Sequence, residues 1–414
     1  MFAIPLAWFQ LKREKIRLLV AIAGISFAVI LMFLQLGFQD ALFESAITFH
    51  KNLKGDVFII SAQSTSLISM ENFPERRMYQ ALGAPGVQNI SPLYIGFGTW
   101  KNPVWERGSS KSQTRQLMVL GIDPSDDVLT VPGLSGQSRD LIRLEDRLLF
   151  DSKSREEFGP IGQKFPDYEQ RGEQIQTEIS DRRVKVAGLF ELGASFGADG
   201  NVVTSETNFR RIFDKRNKGD INVGIIQLKP GEDPLQTLKF LKDNIPGELR
   251  VKKDLKPEQA AEDFIIGDVR LLSKQAFINF ERKYWEEGTA IGFIFGLGVA
   301  IGFIVGIVIV YQILYTDVTD HLAEYATLKA MGYRNRYLLT VVFQEALILA
   351  VMGYIPGYLF SSGMYVLTKN ATALPVEMTS SRGVFVFCLA IIMCMVSGII
   401  AVRKVQDADP ADIF

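Results

Sequence analysis

Cysteine and histidine are scarce in this sequence, and their scarcity limits the chemistry that the chain can carry out. There are two of each among 414 residues. Cys388 and Cys394 lie in one apolar run near the C-terminus, so we expect neither a disulfide framework nor a cysteine-based metal site. His50 and His321 are far apart in the sequence, which removes most histidine-dependent catalysis and most zinc sites. We therefore expect no catalytic residue and no bound metal.

The sequence also lacks a phosphate-binding loop and an excess of charge of one sign. No Gly-Lys-Ser or Gly-Lys-Thr occurs, so the G-x-x-x-x-G-K-[ST] motif is missing and we expect no ATP site or other cofactor site. The formal net charge is −1, which gives no indication of a nucleic-acid partner.

Long apolar runs, in contrast, are present. A helix that crosses a bilayer needs about 20 apolar residues, and four segments qualify: 17–39, 289–315, 337–367 and 384–402. The first follows a basic stretch, but its apolar run exceeds the roughly 7–15 residues of a signal peptide, so we interpret it as an uncleaved anchor. In the third, Gly353, Pro356 and Gly357 predict a kink or a partial break.

The second of these segments is rich in glycine. Small residues four positions apart let two helices approach closely in lipid, whereas membrane helices also tolerate glycine without any such contact. We favour a contact with another helix or with a second copy of the chain. The candidate helix-packing residues are Gly292, Gly296, Gly298, Gly302 and Gly306.

The basic residues near the ends of the spans predict the orientation, because cytoplasmic segments carry an excess of lysine and arginine. With the N-terminus inside, nine basic residues fall on the inner side: Lys12, Arg13, Lys15, Arg17, Lys329, Arg334, Arg336, Arg403 and Lys404. Only Lys369 and Arg382 fall on the short outer loop, 368–383. We expect both termini to be cytoplasmic, with an interfacial amphipathic helix at 1–16, a loop at 316–336 and a tail at 403–414.

Residues 40–288 then form a large outer domain. Strand patterns occur at 57–60, 117–120, 184–189 and 224–228, and short helices are predicted near 76–82 and 234–244. Helical patterns at 40–53 and 257–287 predict a stalk that extends the first two spans. The predicted fold is an α-helical membrane protein with four transmembrane helices and an α+β domain inserted between helices 1 and 2.

One segment of this domain matches an enzyme motif. Gly193-Ala194-Ser195-Phe196-Gly197 fits G-x-S-x-G, the nucleophile elbow of α/β-hydrolases. That motif needs a base, normally a histidine later in the chain, and His321 is predicted to lie on the other side of the membrane. We interpret the segment as a surface loop.

The loop between spans two and three reads as a compact helix. Thr316 or Asp317 can cap its start, Lys329 lies in its last turn, and Gly332 is a natural stop. A short exposed helix with apolar and charged residues suits docking into a groove of a partner, but it also suits a simple connector between spans. The residue pattern alone does not separate the two.

The stretch Glu324-Tyr325-Ala326-Thr327-Leu328-Lys329-Ala330-Met331-Gly332 resembles the signature loop of FtsX/MacB-type ABC permeases. The tail 408–414 resembles that family's Asp-Pro-Ala ending, and the layout of one span, a large domain and three spans also matches. More narrowly, residues 280–349 resemble DevC, the permease of DevBCA-type exporters. One departure is His321, where many MacB-type permeases have arginine. The implied ATPase-coupling residues are Asp320, His321, Leu322, Glu324, Tyr325, Leu328, Lys329, Met331 and Gly332.

The resemblance implies a mechanism and a set of partners. In MacB-like systems two permeases pair, and separate ABC ATPase subunits bind ATP and dock on the cytoplasmic helices. Their motion reaches a MacB-like periplasmic domain through the first two spans. In DevC-like systems this domain works with a periplasmic membrane-fusion adaptor protein and a TolC-like outer-membrane channel. The chain is then expected in the bacterial inner membrane, surrounded by lipid, where it exports glycolipid or another amphiphile.

Several alternatives stay open. Within the same family, the chain could be an FtsX-like regulator of periplasmic cell-wall hydrolases or a lipoprotein-release permease. Outside the family, it could be a membrane receptor, although its inner segments are too short for a signalling domain. A membrane hydrolase is the weakest alternative, because a suitably placed base is missing.

Overall fold

The computed structural model describes residues 15–105, 113–251, 257–320, 335–372 and 374–406. The chain divides into two compact units. Residues Leu42–Gly288 are called the inserted domain below, and residues Met1–Ala41 together with Thr289–Phe414 are called the helical unit. Each unit is described by itself.

The described residues contain eleven α-helices. They are α1 (Lys15–Asn52), α2 (Arg76–Tyr79), α3 (Gly136–Leu141), α4 (Ile161–Gln170), α5 (Glu206–Ile212), α6 (Pro234–Asn244), α7 (Pro257–Glu262), α8 (Lys274–Glu287), α9 (Ala290–Asp320), α10 (Asn335–Thr372) and α11 (Ser380–Gln406). Within this part of the chain, four helices are long and apolar enough to cross a membrane, namely α1, α9, α10 and α11. The prediction of four apolar helices is therefore confirmed.

The strands all belong to the inserted domain. They are β1 (Val57–Ser61), β2 (Phe73–Pro74), β3 (Val87–Lys101), β4 (Thr114–Ile122), β5 (Arg147–Asp151), β6 (Ile175–Ile179), β7 (Arg182–Phe190), β8 (Asn201–Ser205), β9 (Asp220–Ile221), β10 (Val223–Leu228), β11 (Leu249–Arg250), β12 (Asp263–Ile266) and β13 (Val269–Ser273). The mixture of short strands and helices agrees with the predicted α+β domain.

Strand β3 joins two halves of the main sheet. The sheet has eleven strands in the order β11-β12-β13-β1-β10-β3-β4-β8-β5-β7-β6. The first part of β3 pairs with β10 and its second part pairs with β4, with Leu93 taking part in both ladders. Trp100 of β3 also pairs with Ile179 of β6. The six strands β3, β4, β8, β5, β7 and β6 therefore close into a ring. Buried apolar side chains cover both faces of the sheet, which explains why β1 and β8 are apolar or buried along their whole length.

The predicted continuous stalk helix at 257–287 is wrong. Helix α7 ends at Glu262, and the antiparallel pair β12–β13 precedes α8. Phe264 and Ile266 alternate with half-buried residues in a period of two, and Gly267 adopts a positive φ of 56° at the turn between the strands. A glycine in a two-residue loop between apolar runs is a hairpin signal, and here it prevails over helical periodicity.

The helical unit packs four helices around a common apolar core. Buried residues of all four helices meet in it, including Ile25 of α1, Val310 of α9, Leu349 of α10 and Met393 of α11. Helix α10 continues through Pro356, so the predicted partial break is wrong. Proline is tolerated inside such helices because neighbouring helices can supply the missing backbone partners.

Candidate functional site

The proposed ATPase-coupling residues lie almost entirely outside the described residues. Asp320 is the last residue of α9, whereas His321, Leu322, Glu324, Tyr325, Leu328, Lys329, Met331 and Gly332 belong to the stretch 321–334 that the structure does not describe. The structure describes the residues that flank this stretch, at the end of α9 and the start of α10, and the helix ends next to them. Residues 1–14 and 407–414, which hold most of the predicted interfacial helix and of the tail, are likewise outside the described part.

Arginine and aspartate side chains tie the end of α9 to the start of α1. Arg17 Nη2 lies 2.6 Å from Asp320 Oδ2, and Arg17 Nη1 lies 3.9 Å from Asp317 Oδ1. Asp317 is buried, and the Arg17 side chain is only 29% exposed. Since a buried carboxylate is costly without a compensating charge, Arg17 stabilises this pair of acids at the helix end.

A third acid lies beside this cluster. Glu345 of α10 is completely buried and has Asp317 as its carboxylate neighbour. Two adjacent acids in an apolar interior repel each other when both are ionised, and Arg17, 3.9 Å from Asp317, supplies a positive charge beside them. The cluster of Arg17, Asp317, Asp320 and Glu345 thus links three helices near the end of α9, which the stretch 321–334 follows in the sequence. Sequence analysis did not predict this cluster, although acids near the facing ends of two consecutive spans were a usable signal.

The glycines of α9 divide into contacting and exposed positions. A Cβ atom at Gly298 would lie 2.6 Å from Gln35, and one at Gly306 would lie 2.9 Å from the Cβ of Ala28, with Met393 of α11 closer still. Gly302 has Leu31 of α1 as its neighbour. At Gly296, in contrast, the described residues leave open space, and Gly292 is only half-buried. Three of the five predicted packing residues therefore face α1.

Two further packing glycines were missed by sequence analysis, which associated them with a kink. A Cβ at Gly357 of α10 would lie 2.7 Å from Val29 Cγ1, and one at Gly353 would lie closer still to Ile25. Ser26 Oγ donates a 2.9 Å hydrogen bond to the carbonyl oxygen of Gly353. The four-residue spacing of these glycines is the same signal that was recognised in α9, and it lets α10 approach α1 closely.

The Ser195 segment has the features of a structural loop. Ser195 Oγ accepts a hydrogen bond from the backbone N–H of Ala198. The loop is anchored by Asp151, which is fully buried and accepts hydrogen bonds from the backbone N–H groups of Gly193 and Leu192 and from the side chain of Asn201. Burial raises the pKa of Asp151, and these hydrogen bonds oppose that shift. His50 is completely buried beside the rings of Phe49 and Phe277, and its Nε2 lies 3.8 Å from Glu281, so its surroundings do not favour a role as the base for Ser195.

Comparison with known proteins supports this picture of a membrane protein with an inserted domain. The family model of the MacB-like periplasmic core domain matches residues 18–242, and that of the FtsX-like permease C-terminal domain matches residues 293–410. The first match alone covers more than half of the chain. The chain therefore belongs to the MacB/FtsX-like ABC permease family, whose members are transmembrane components of ABC transporters.

Two solved structures are similar in part. One is the extracellular domain of the noncanonic ABC-type transporter YknZ from Gram-positive bacteria, at 13% identity and a TM-score of 0.28, covering 46% of this chain and 93% of that one. The other is the periplasmic region of MacB from Actinobacillus actinomycetemcomitans, at 9% identity and a TM-score of 0.32, covering 54% of this chain and 91% of that one. No curated protein matched the chain.

Proposed function

We propose that the chain is the membrane-spanning subunit of an ABC exporter, and that it transmits the motion of a separate ATPase subunit to its periplasmic domain. The observation that carries this proposal is family membership over both parts of the chain, the inserted domain and the last three helices. Family membership implies an ABC ATPase partner and a second copy of the chain. Because the sequence has no phosphate-binding loop, ATP is bound by that partner and not by this subunit.

The coupling segment 321–334 is the proposed contact with the ATPase subunit. Its sequence resembles the family's signature loop, and it follows directly after Asp320. The ion cluster around Arg17 supports a coupling role, because a displacement of the segment acts on α1 through Asp320 and on α10 through Asp317 and Glu345. Salt-bridge networks and rigid helices are among the contacts that carry coupling between distant sites.

The proposed cargo is glycolipid or another amphiphile, exported with a periplasmic membrane-fusion adaptor and a TolC-like channel. The narrower resemblance to DevC motivates this choice of partners. An FtsX-like regulator of cell-wall hydrolases would use the same coupling segment but no adaptor. Pull-down of the adaptor by the chain from membranes of its own organism supports export, whereas retention of a peptidoglycan hydrolase in its place favours regulation.

ATP hydrolysis provides the direct test of the proposed division of labour. The full chain reconstituted in lipid nanodiscs is expected to hydrolyse no ATP by itself, and to bind and stimulate its ATPase subunit when that subunit is added. Turnover by a preparation free of any ATPase subunit would overturn the proposal, and so would a failure of the two subunits to associate.

The proposed orientation has both termini in the cytoplasm and the inserted domain in the periplasm. It can be tested by replacing Cys388 and Cys394 with serine and introducing single cysteines at Lys329 and at Ser195. We expect an impermeant maleimide added to spheroplasts to label position 195 and not position 329. Labelling of position 329 in intact spheroplasts contradicts the orientation.

A further inference from the structure

The inserted domain contains a cleft of about 630 Å³ that sequence analysis did not indicate. It is lined by the segment 62–65, which follows β1, by residues of α8 up to Gly288, and by residues of α7 and of the β12–β13 pair. A volume of this size lies within the range of about 300–1,000 Å³ that holds small-molecule ligands.

The side chains of this cleft separate into an apolar part and a hydrogen-bonding part. Phe280, Tyr284 and Ile265 present apolar surface, and the Phe280 ring is held in place by the Arg270 guanidinium, 4.7 Å from the ring centroid. Gln63, Thr65 and Asn279 are exposed at the opening and carry amide or hydroxyl groups. Such a combination suits a ligand that is itself amphiphilic, since each part of the ligand finds matching chemistry.

Arg270 is a buried, charged residue that lines the cleft. It is only 5% exposed, and its Nε and Nη2 atoms donate to the two carboxylate oxygens of Asp263 at 2.7 and 2.5 Å. This bidentate pair uses two of the five N–H groups of the guanidinium. The others can donate to an oxygen atom of a ligand, while Asp263 already neutralises the positive charge.

The charges that line the cleft select against an anionic ligand. Glu262, Asp263 and Glu287 contribute three negative charges, and Arg270 and Lys283 contribute two positive charges, which leaves a net charge of −1. Both positive groups are already paired, Arg270 with Asp263 and Lys283 with Glu287 at 3.3 Å. A phosphate or sulfate group would meet a negative field, whereas an uncharged head group rich in hydroxyl or amide groups would not.

We infer that this cleft binds an amphiphile with an uncharged, hydroxyl-bearing head group, with the alkyl part against Phe280 and Tyr284 and the head group at Gln63, Asn279 and Arg270. This inference rests on the proposed export function, because it takes the bound amphiphile to be the exported cargo. It deepens that function by assigning selectivity for uncharged over anionic amphiphiles to the inserted domain.

The test uses the full chain in nanodiscs and octyl glucoside below its micelle concentration as the probe. Hydrogen–deuterium exchange is measured on peptides that cover residues 62–65 and 276–288. We expect octyl glucoside to slow exchange in both segments at least threefold, and octyl sulfate, which has the same alkyl chain with an anionic head group, to leave exchange unchanged. Equal effects of the two probes would mean unspecific partitioning and would overturn the inference.

A blocking variant makes the test specific to the cleft. Asn279 is exposed on α8, so Asn279→Trp can fill the opening without disturbing the core, and we expect it to abolish the protection by octyl glucoside. Gln236→Trp on α6, exposed and outside the cleft, is the matched control and should respond like the parent chain. Protection that persists in Asn279→Trp contradicts the inference. Because neither readout involves ATP, recruitment of the ATPase subunit by the same preparations tests the proposed function separately.

Discussion

The carboxylate of Glu281 lies 3.8 Å from Nε2 of His50 in the interior of the inserted domain, where both side chains are almost completely buried. The contact joins the last turns of α1 to α8. Glu281 also accepts hydrogen bonds from the backbone of Leu67 at 2.7 Å and from the indole of Trp285 at 2.8 Å. Lys274 Nζ donates to the carbonyl oxygen of His50 at 2.7 Å. A polar network therefore fixes the end of the α1 helix against the helix that leads back to α9.

The contribution of Glu281 to the stability of the inserted domain is expected to fall as the pH rises, whereas that of His50, whose pKa is lowered by burial to about 3, is expected to grow up to about pH 6.5. Burial raises the pKa of Glu281 from 4.5 to about 7, against the opposing hydrogen bonds from Trp285 and Leu67. The folded state then holds a proton that the unfolded state releases, so the stabilisation is complete below about pH 4.5 and is lost by about pH 7. A shift of this size corresponds to roughly 3 kcal/mol.

Thermal unfolding of the full chain in nanodiscs, followed between pH 5 and pH 8, measures this effect. In Glu281→Gln the side chain stays neutral at every pH, so the decline with pH that depends on Glu281 should disappear. Glu286→Gln, exposed on the same helix, should keep the pH dependence of the parent chain. An unchanged pH dependence in Glu281→Gln would contradict the role of Glu281, because Lys274, whose pKa is lowered to about 8 by burial, adds stability only above about pH 8.

The fold was largely predictable wherever the pattern of apolar residues was regular. The four long helices and strands such as β1 and β10 follow directly from uncharged runs and short apolar runs, because burial alone selects these residues. The β12–β13 hairpin was missed because its eleven residues lie between two helical patterns and depend on one glycine, Gly267. The contacts of Gly353 and Gly357 were missed because Pro356 lies between them and suggests a kink in α10. Only the position of α1 shows that these glycines serve close packing of the two helices.

The network around Glu281 could not be predicted from the sequence. His50 and Glu281 are separated by more than two hundred residues, and neither belongs to a recognisable motif. Their proximity results from the pairing of β1 with β13, which brings the chain after α1 next to the chain before α8. A single sequence carries no information on such long-range pairing.

Gly306 is expected to be more sensitive to substitution than Gly296, although both lie on α9. A side chain at Gly306 meets Ala28 and Met393, whereas the described residues leave open space at Gly296. Gly306→Leu should therefore destabilise the helical unit by about 1–3 kcal/mol, since overpacking a core costs this much. Gly296→Leu is the matched control and should keep the stability of the parent chain. Thermal unfolding in nanodiscs measures both, and equal destabilisation would contradict the assigned packing.

Gly296→Leu also distinguishes the two sources of helix contact. If a second copy of the chain packs on this position, the substitution should reduce the fraction of crosslinked dimers while the stability of the monomer is unchanged. If lipid covers it, the fraction of dimers should equal that of the parent chain. Crosslinking in native membranes separates these outcomes.

The Ser195 loop provides a pair of substitutions with opposite expected results. Ser195→Ala removes one hydrogen bond, from the backbone of Ala198, and should leave both export and folding intact. Asp151→Ala leaves the part-buried N–H groups of Gly193 and Leu192 without their acceptor and should cost about 1–3 kcal/mol in total. Export assays and thermal unfolding of the two variants measure these effects. Loss of export in Ser195→Ala at a normal protein level would support a hydrolase after all.

Reversing a charge or adding a charge in the coupling segment is expected to prevent binding of the ATPase subunit. Glu324 lies on a stretch of mostly small residues, and a buried charge is costly unless it is paired, so we propose that the ATPase subunit supplies its counter-charge. Loss of one member of a desolvated charge pair costs about 2–5 kcal/mol, and the low end weakens association roughly thirtyfold. Glu324→Lys should therefore abolish recruitment of the ATPase subunit, and Leu328→Asp should do so by removing an apolar contact.

Glu286→Lys, an equal charge reversal on the exposed side of α8, is the control and should bind the ATPase subunit normally. Pull-down of the ATPase subunit by each variant is the measurement, with export followed in parallel. A simple connector between α9 and α10 would accept all three substitutions, so normal binding and export by Glu324→Lys and Leu328→Asp would show that the ATPase subunit docks elsewhere.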